Sequence, residues 1–133
     1  MLNICDTHIL LFWADAPERL SRAATKALDL GINTKNLACC DISLWEIAML
    51  YSRGRINGHA GISSSAYIQD ILTAMNMTVL PITAEIAELS QSAIFVHGDP
   101  ADRIIGATTL AHQAKLITVD EKLRTTPTLQ CIW

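Results

Sequence analysis

Apolar residues follow two rhythms along this chain. The short runs LNIC at 2–5, LACC at 37–40, TVLPI at 78–82 and KLITV at 115–119 read as strands, and LQCIW near the end reads as a last one. Between them, apolar positions recur at three- and four-residue steps. Leu20, Ala23, Ala24, Ala27 and Leu28 predict a helix over 20–30, with Ser21 as its N-cap and Gly31 as its stop. Ser43 followed by Glu46 has the form of a capping box and predicts a helix running to Gly54. Tyr67, Ile68, Ile71, Leu72 and Met75 predict another over 64–76, and Thr83 caps a further one to about Ile94. Asp99 before Pro100 is a cap followed by proline at the first helical position, opening a helix through Ile104, Ile105, Thr108 and Ala111 to about Gln113. Strands alternating with helices predict an α/β fold with a mainly parallel sheet and helices on both faces.

Composition narrows the class. A length of 133 residues is enough for one domain with its own core, so neither a disulfide nor a structural metal is required. Charged residues make up only 17% of a chain that is half apolar, which predicts that some apolar surface is covered by a partner or a second copy. LLFW at 10–13 falls far short of the roughly 20 residues of a spanning helix. No basic segment precedes it, so a signal peptide is not expected and the chain reads as cytosolic. Cys5, Cys39, Cys40 and Cys131 lack C-x-x-C spacing and lie in apolar segments, as buried thiols of a reducing compartment do. The net charge of −3 excludes a nonspecific polyanion binder, unless several acids gather round a cation.

The acids change the picture. Ligands of open parallel sheets collect at the carboxyl ends of strands, where strand order reverses. Asp6 follows the first strand, Glu46 lies one turn into the helix after the second, Asp102 sits in the first turn of the helix leading to KLITV, and Asp120 follows that strand. Four carboxylates are therefore expected on one edge, where mutual repulsion would favour protons or a hard cation such as Mg²⁺ or Mn²⁺. Each also has a plain structural role available: Asp6 ends a strand, Glu46 completes the capping box, Asp102 suits a helix N-terminus and Asp120 suits a turn. Asp99 is accounted for by capping.

Other polar residues offer less. His8, His59, His97 and His112 have no mutual metal-ligand spacing, and only His97 adjoins the acids. Ser43 reads as a cap, Gly54 and Gly58 form no phosphate loop, and Trp13 and Trp45 read as core. Arg53 and Arg55 could end a helix in solvent or meet phosphates.

The segments DTHILLFW at 6–13, SLWEIA at 43–48 with GRI at 54–56, VLPIT at 79–83, HGDPADRIIGA at 97–107 and LITVD at 116–120 resemble, in order and spacing, the PIN-domain family. Within it they are similar to the VapC-like toxins of toxin–antitoxin pairs. The resemblance implies one three-layer α/β/α domain over residues 1–133. It also implies an Mg²⁺- or Mn²⁺-dependent endoribonuclease with Asp6, Glu46, Asp102 and Asp120 as the acidic site, of which Asp6, Asp102 and Asp120 would ligate the metal. Thr7, Thr118 and Asp99 would support the site, and Arg53, Arg55 and Arg103 could contact RNA. A VapB-like antitoxin and a second copy of the chain are the implied partners. Two positions depart from the family: Leu50 stands where many relatives carry lysine, and Ala101 where a bulky aromatic is common. A binding-only PIN domain is the first rival, and a phosphatase of the haloacid dehalogenase type the second. The latter needs an acid two residues after its nucleophile, a position filled here by His8.

Overall fold

A computed structural model describes residues 1–56, 61–96 and 98–133. His59, Gly58 and His97 lie outside the described residues. The described strands are β1 (Asn3–Cys5), β2 (Leu37–Cys40), β3 (Thr78–Leu80), β4 (Lys115–Ile117) and β5 (Cys131–Ile132). They form one sheet in the order β3-β2-β1-β4-β5, with every neighbouring pair parallel. The helices are α1 (Thr7–Asp15), α2 (Arg22–Thr34), α3 (Ile42–Ser52), α4 (Ser64–Ala74), α5 (Ala84–Leu89), α6 (Pro100–Ala111) and α7 (Glu121–Arg124).

Both sheet faces are covered, which explains why the strands read as continuous apolar runs. Alternate residues still part company: Cys5, Leu37, Cys39 and Ile117 pack among residues of α1 to α4, whereas Ile4, Ala38, Cys40 and Leu116 meet Ile105 of α6 and Leu123 of α7. This is the three-layer arrangement. The cysteines are free thiols, with Cys5, Cys39 and Cys40 buried. Burial pushes the Cys39 thiol up to about 12.

Several boundaries differ from the sequence pattern, each for a local reason. The residues after Asp6, for which the pattern predicts no element, form α1; Asp6 caps it, and Ala16 leaves the helical region because Pro17 follows. Gly31 does not stop α2, which continues to Thr34 and ends on Lys35 in the left-handed region at φ 55°. Its glycine serves close approach instead, since a Cβ there would lie 2.4 Å from Leu37 Cδ2. β3 is shorter than TVLPI because Pro81 has no N–H for the ladder. α5 ends at Leu89 rather than near Ile94. Helix α3 starts at Ile42, two residues earlier than a Ser43 cap would set it, and the Asp41 side chain accepts from Ile82 N at 3.2 Å, linking the ends of β2 and β3. Among the described residues no helix is long and apolar enough to cross a membrane.

Candidate active site

Strand order reverses at β1, which has β2 on one side and β4 on the other. The carboxyl ends of β1 and β4 thus bound the crevice where open α/β sheets place ligands. Asp6 N donates to Ile117 O at 3.0 Å, so the two strand ends are fastened together just where the acids begin. Helices α1, α3 and α7 start at this edge because they follow strands, and α6 starts there because it runs back before β4.

Asp6 is only 3% exposed. Its Oδ1 accepts from Thr7 N at 2.7 Å and its Oδ2 from Thr118 Oγ1 at 2.7 Å. Burial raises its pKa, and the negative charge of Asp120 adds to the rise; the Thr118 hydroxyl, the positive charge of His8 and the Thr7 N–H act against it. Thr118 is fully buried and also accepts from Asp120 N at 3.0 Å, so one hydroxyl positions two acids. Asp120 Oδ1 caps α7 by accepting from Leu123 N at 3.0 Å.

Glu46 enters from α3, half-buried. Its Oε1 lies 2.5 Å from Thr7 Oγ1, which is also 2.8 Å from Ser43 Oγ. The capping-box reading of Ser43 and Glu46 is therefore replaced by a tertiary contact: both side chains face Thr7, and Ser43 is fully buried. Ser43 shares its helix face with buried Ile47, four residues on, and that spacing is the sequence signal of an inward serine. Burial raises the Glu46 pKa, the Thr7 bond offsets part of this, and the charges of Asp6 and Asp99 raise it further.

Asp99 caps α6 through Ala101 N at 2.9 Å, with Pro100 at the first helical position. Asp102, in the first turn, is far from the ordinary carboxylate range. Burial, then the charges of Asp6, Asp99, Asp120 and Glu46, push its carboxyl up to about 8. The five acids thus share one electrostatic field at the switch-point edge.

No three His, Cys, Asp or Glu side chains among the described residues stand together as a preformed metal-ligand group. The donor chemistry nevertheless suits a hard divalent ion, being all oxygen and mutually repulsive. Asp6, Asp102 and Asp120 could hold one.

A cleft of about 610 Å³ opens between α3 and α6, lined by Ile42, Trp45, Glu46, Met49, Asp99, Pro100, Ala101 and Ile104. Trp45 is 58% exposed on this cleft and is not a core residue; Trp13 does pack against the core. Of the candidate arginines, Arg53 and Arg55 are exposed at the end of α3, while Arg103 is half-buried and donates from Nε to Ser90 O at 2.8 Å. Leu50 lines a second groove, which it shares with Arg55.

A model of the PIN domain family matches residues 4–129. Ribonuclease VapC22 of Mycobacterium tuberculosis is 33% identical over 122 residues, spanning 91% of this chain and 88% of that protein. Among solved structures, DNA-bound VapBC from Salmonella typhimurium superposes with a TM-score of 0.73 at 16% identity, over 98% of this chain and 97% of the other. VapBC2 from Rickettsia felis, bound to a DNA fragment from the promoter, gives 0.67 at 18% identity over 98% and 97%. At these identities the two structures speak for the fold alone.

Proposed function

Because the chain belongs to the PIN-domain family, we propose that it is an Mg²⁺- or Mn²⁺-dependent endoribonuclease, the toxin of a toxin–antitoxin pair. The observation that carries this reading is the meeting of Asp6, Glu46, Asp102 and Asp120 in one electrostatic field at the strand-order switch, in a chain similar to a named ribonuclease. Asp6, Asp102 and Asp120 would hold the cation. When bound, that cation supplies the positive charge that polarises a phosphodiester and acidifies water for in-line attack.

The chain's own residues do the rest. Thr118 fixes Asp6 and the backbone of Asp120 relative to each other, so two acids arrive already oriented. Thr7, itself hydrogen-bonded to Ser43, holds Glu46 at the edge, where its carboxylate can orient water or take its proton. Hydrolysis by water leaves 5′-phosphate and 3′-hydroxyl ends. Single-stranded or looped RNA suits an edge crevice, because its backbone is not locked in a duplex.

A VapB-like antitoxin is the expected protein partner, since the structural neighbours from Salmonella typhimurium and Rickettsia felis are VapBC assemblies. Such a protein would work in the cytoplasm. A second copy of the chain is the other expected partner, and sedimentation velocity of the purified protein reads it directly.

The deciding experiment is incubation of the purified chain with mixed RNA and Mg²⁺ or Mn²⁺, alongside EDTA and Asp6→Asn controls. Metal-dependent cleavage that the substitution removes supports the reading. Equal inertness of both proteins over many RNAs and both metals would leave a binding-only PIN domain as the better account.

A further inference from the structure

A groove of about 410 Å³ lies beside α1, with His8, Phe12, Asp15, Arg19, Leu50 and Arg55 among its lining. His8, exposed in this lining, is two residues from Asp6, and its charge is felt at both Asp6 and Glu46. The His8 ring lies 6.1 Å from the Phe12 ring, and the Arg19 guanidinium sits 4.3 Å from the centroid of the same ring. Phe12 is nearly buried, so Arg19 is held upon it with its side chain exposed. Arg55, also exposed, lines the same groove. Asp15, the acid among these residues, accepts a hydrogen bond from the Tyr67 hydroxyl. A chain of net charge −3 with several carboxylates at its site repels a polyanion, so a strand reaching those carboxylates needs local cations beside them.

We propose that this groove is a subsite for the RNA strand flanking the cleaved phosphodiester, with Arg55 on a backbone phosphate and Arg19 stacked on an unpaired base. The assignment rests on the nuclease reading of the adjacent edge. It differs from that reading in what it requires: a phosphate contact carries register without sequence, whereas a guanidinium plane held on an aromatic ring recognises the face of a splayed base. His8, which lines the groove and lies two residues from Asp6, is the link between groove and edge.

The test uses the full chain with Arg19→Gln and Arg55→Gln, singly and together. Cleavage of a short single-stranded oligoribonucleotide is compared with hydrolysis of bis(4-nitrophenyl) phosphate in Mn²⁺. The double variant is expected to raise KM for RNA about tenfold with kcat within about twofold, and to leave the small diester unaffected. The salt slope of RNA binding should fall by about 0.7 for each phosphate that is no longer neutralised. Arg55→Lys should restore most of the binding because charge suffices, while Arg19→Lys should not because it lacks the plane. Unchanged KM and salt slope would overturn the subsite, as would an equal loss on both substrates. If the wild type cleaves neither substrate, the nuclease reading fails separately. Fluorescence anisotropy of the labelled oligoribonucleotide on the Asp6→Asn chain then decides the groove: weaker binding on removal of the arginines supports it, unchanged binding overturns it. RNA binding that survives while a co-expressed small protein is no longer retained would make the groove a protein-docking surface instead and overturn the proposal.

Discussion

Helices α1 and α6 both start at the acidic edge, and they divide the same work differently. At α1 one residue does two things: Asp6 caps the helix through Oδ1 and meets Thr118 through Oδ2, deep in the protein. At α6 the tasks are split, with exposed Asp99 as the cap and half-buried Asp102 one turn later in the shared field of the acids. A capping bond occupies one oxygen and leaves the other available, so capping and site membership do not compete. Asp120 repeats the α1 solution, capping α7 while Thr118 holds its backbone N–H. Acids and helix N-termini coincide here because helices start where parallel strands end, and the N-terminal dipole favours negative charge.

Substitutions that keep shape and remove charge test the comparison most severely. Asp6→Asn retains a good capping side chain and Asp102→Asn removes no cap, so both should fold while cleaving RNA about a thousandfold more slowly, measured under single-turnover conditions. Activity within a few fold of wild type for Asp6→Asn would make that residue a cap alone. Next in size is Thr118→Val, nearly the same volume without the hydroxyl that joins Asp6 to Asp120. Cleavage should fall about tenfold to a hundredfold, with a matching loss of affinity in a metal titration. An unaltered metal titration would show that the two acids hold their places without it.

Titration probes the start of α6 by stability. The Asp102 carboxyl is moved from 3.8 to about 8, so between those values the folded chain keeps a proton that the unfolded chain has released. Its contribution is fully present below about pH 4 and is lost as pH rises toward 8. Metal-free protein should therefore lose stability over that window, Asp102→Asn should flatten the curve, and Mg²⁺ should raise Tm most near pH 8. Thermal melts across pH, with and without Mg²⁺, read all three. A curve equally steep in the variant would assign the slope to another acid.

Much of this was legible in the chain because local and global signals agreed. Apolar runs closed by an acid marked β1, β2 and β4, and Asp99-Pro100 marked the start of α6 to the residue. What sequence rules could not resolve were positions where one local signal had two physical sources. Gly31 looks like a helix stop and is a close approach to Leu37. Ser43 and Glu46 look like a capping box, yet both serve Thr7, thirty-six and thirty-nine positions away in the sequence. Trp45 has the composition of core and stands 58% exposed on the α3–α6 cleft. Such cases turn on long-range packing, which a local cap or stop rule does not weigh. The groove beside α1 was illegible for the same reason: Arg19 and Arg55, thirty-six positions apart, line one groove only once the chain has folded.

The smallest expected effect belongs to Asp99, and it bears most directly on the division of labour at α6. Asp99→Ser keeps an acceptor for Ala101 N and removes one like charge from the field around Asp102 and Glu46. Stability should stay within about 0.5 kcal/mol of wild type, whereas Asp99→Ala should cost about 1 kcal/mol by losing the cap. Cleavage by the serine variant should remain within about threefold of wild type, because the charge of Asp99 acts on Asp102 only after burial and the charge of Asp6. If Asp99→Ser instead lost activity as severely as Asp102→Asn while melting normally, the cap would be a working member of the site. Helix α6 would then follow the same rule as α1, with one aspartate serving both ends.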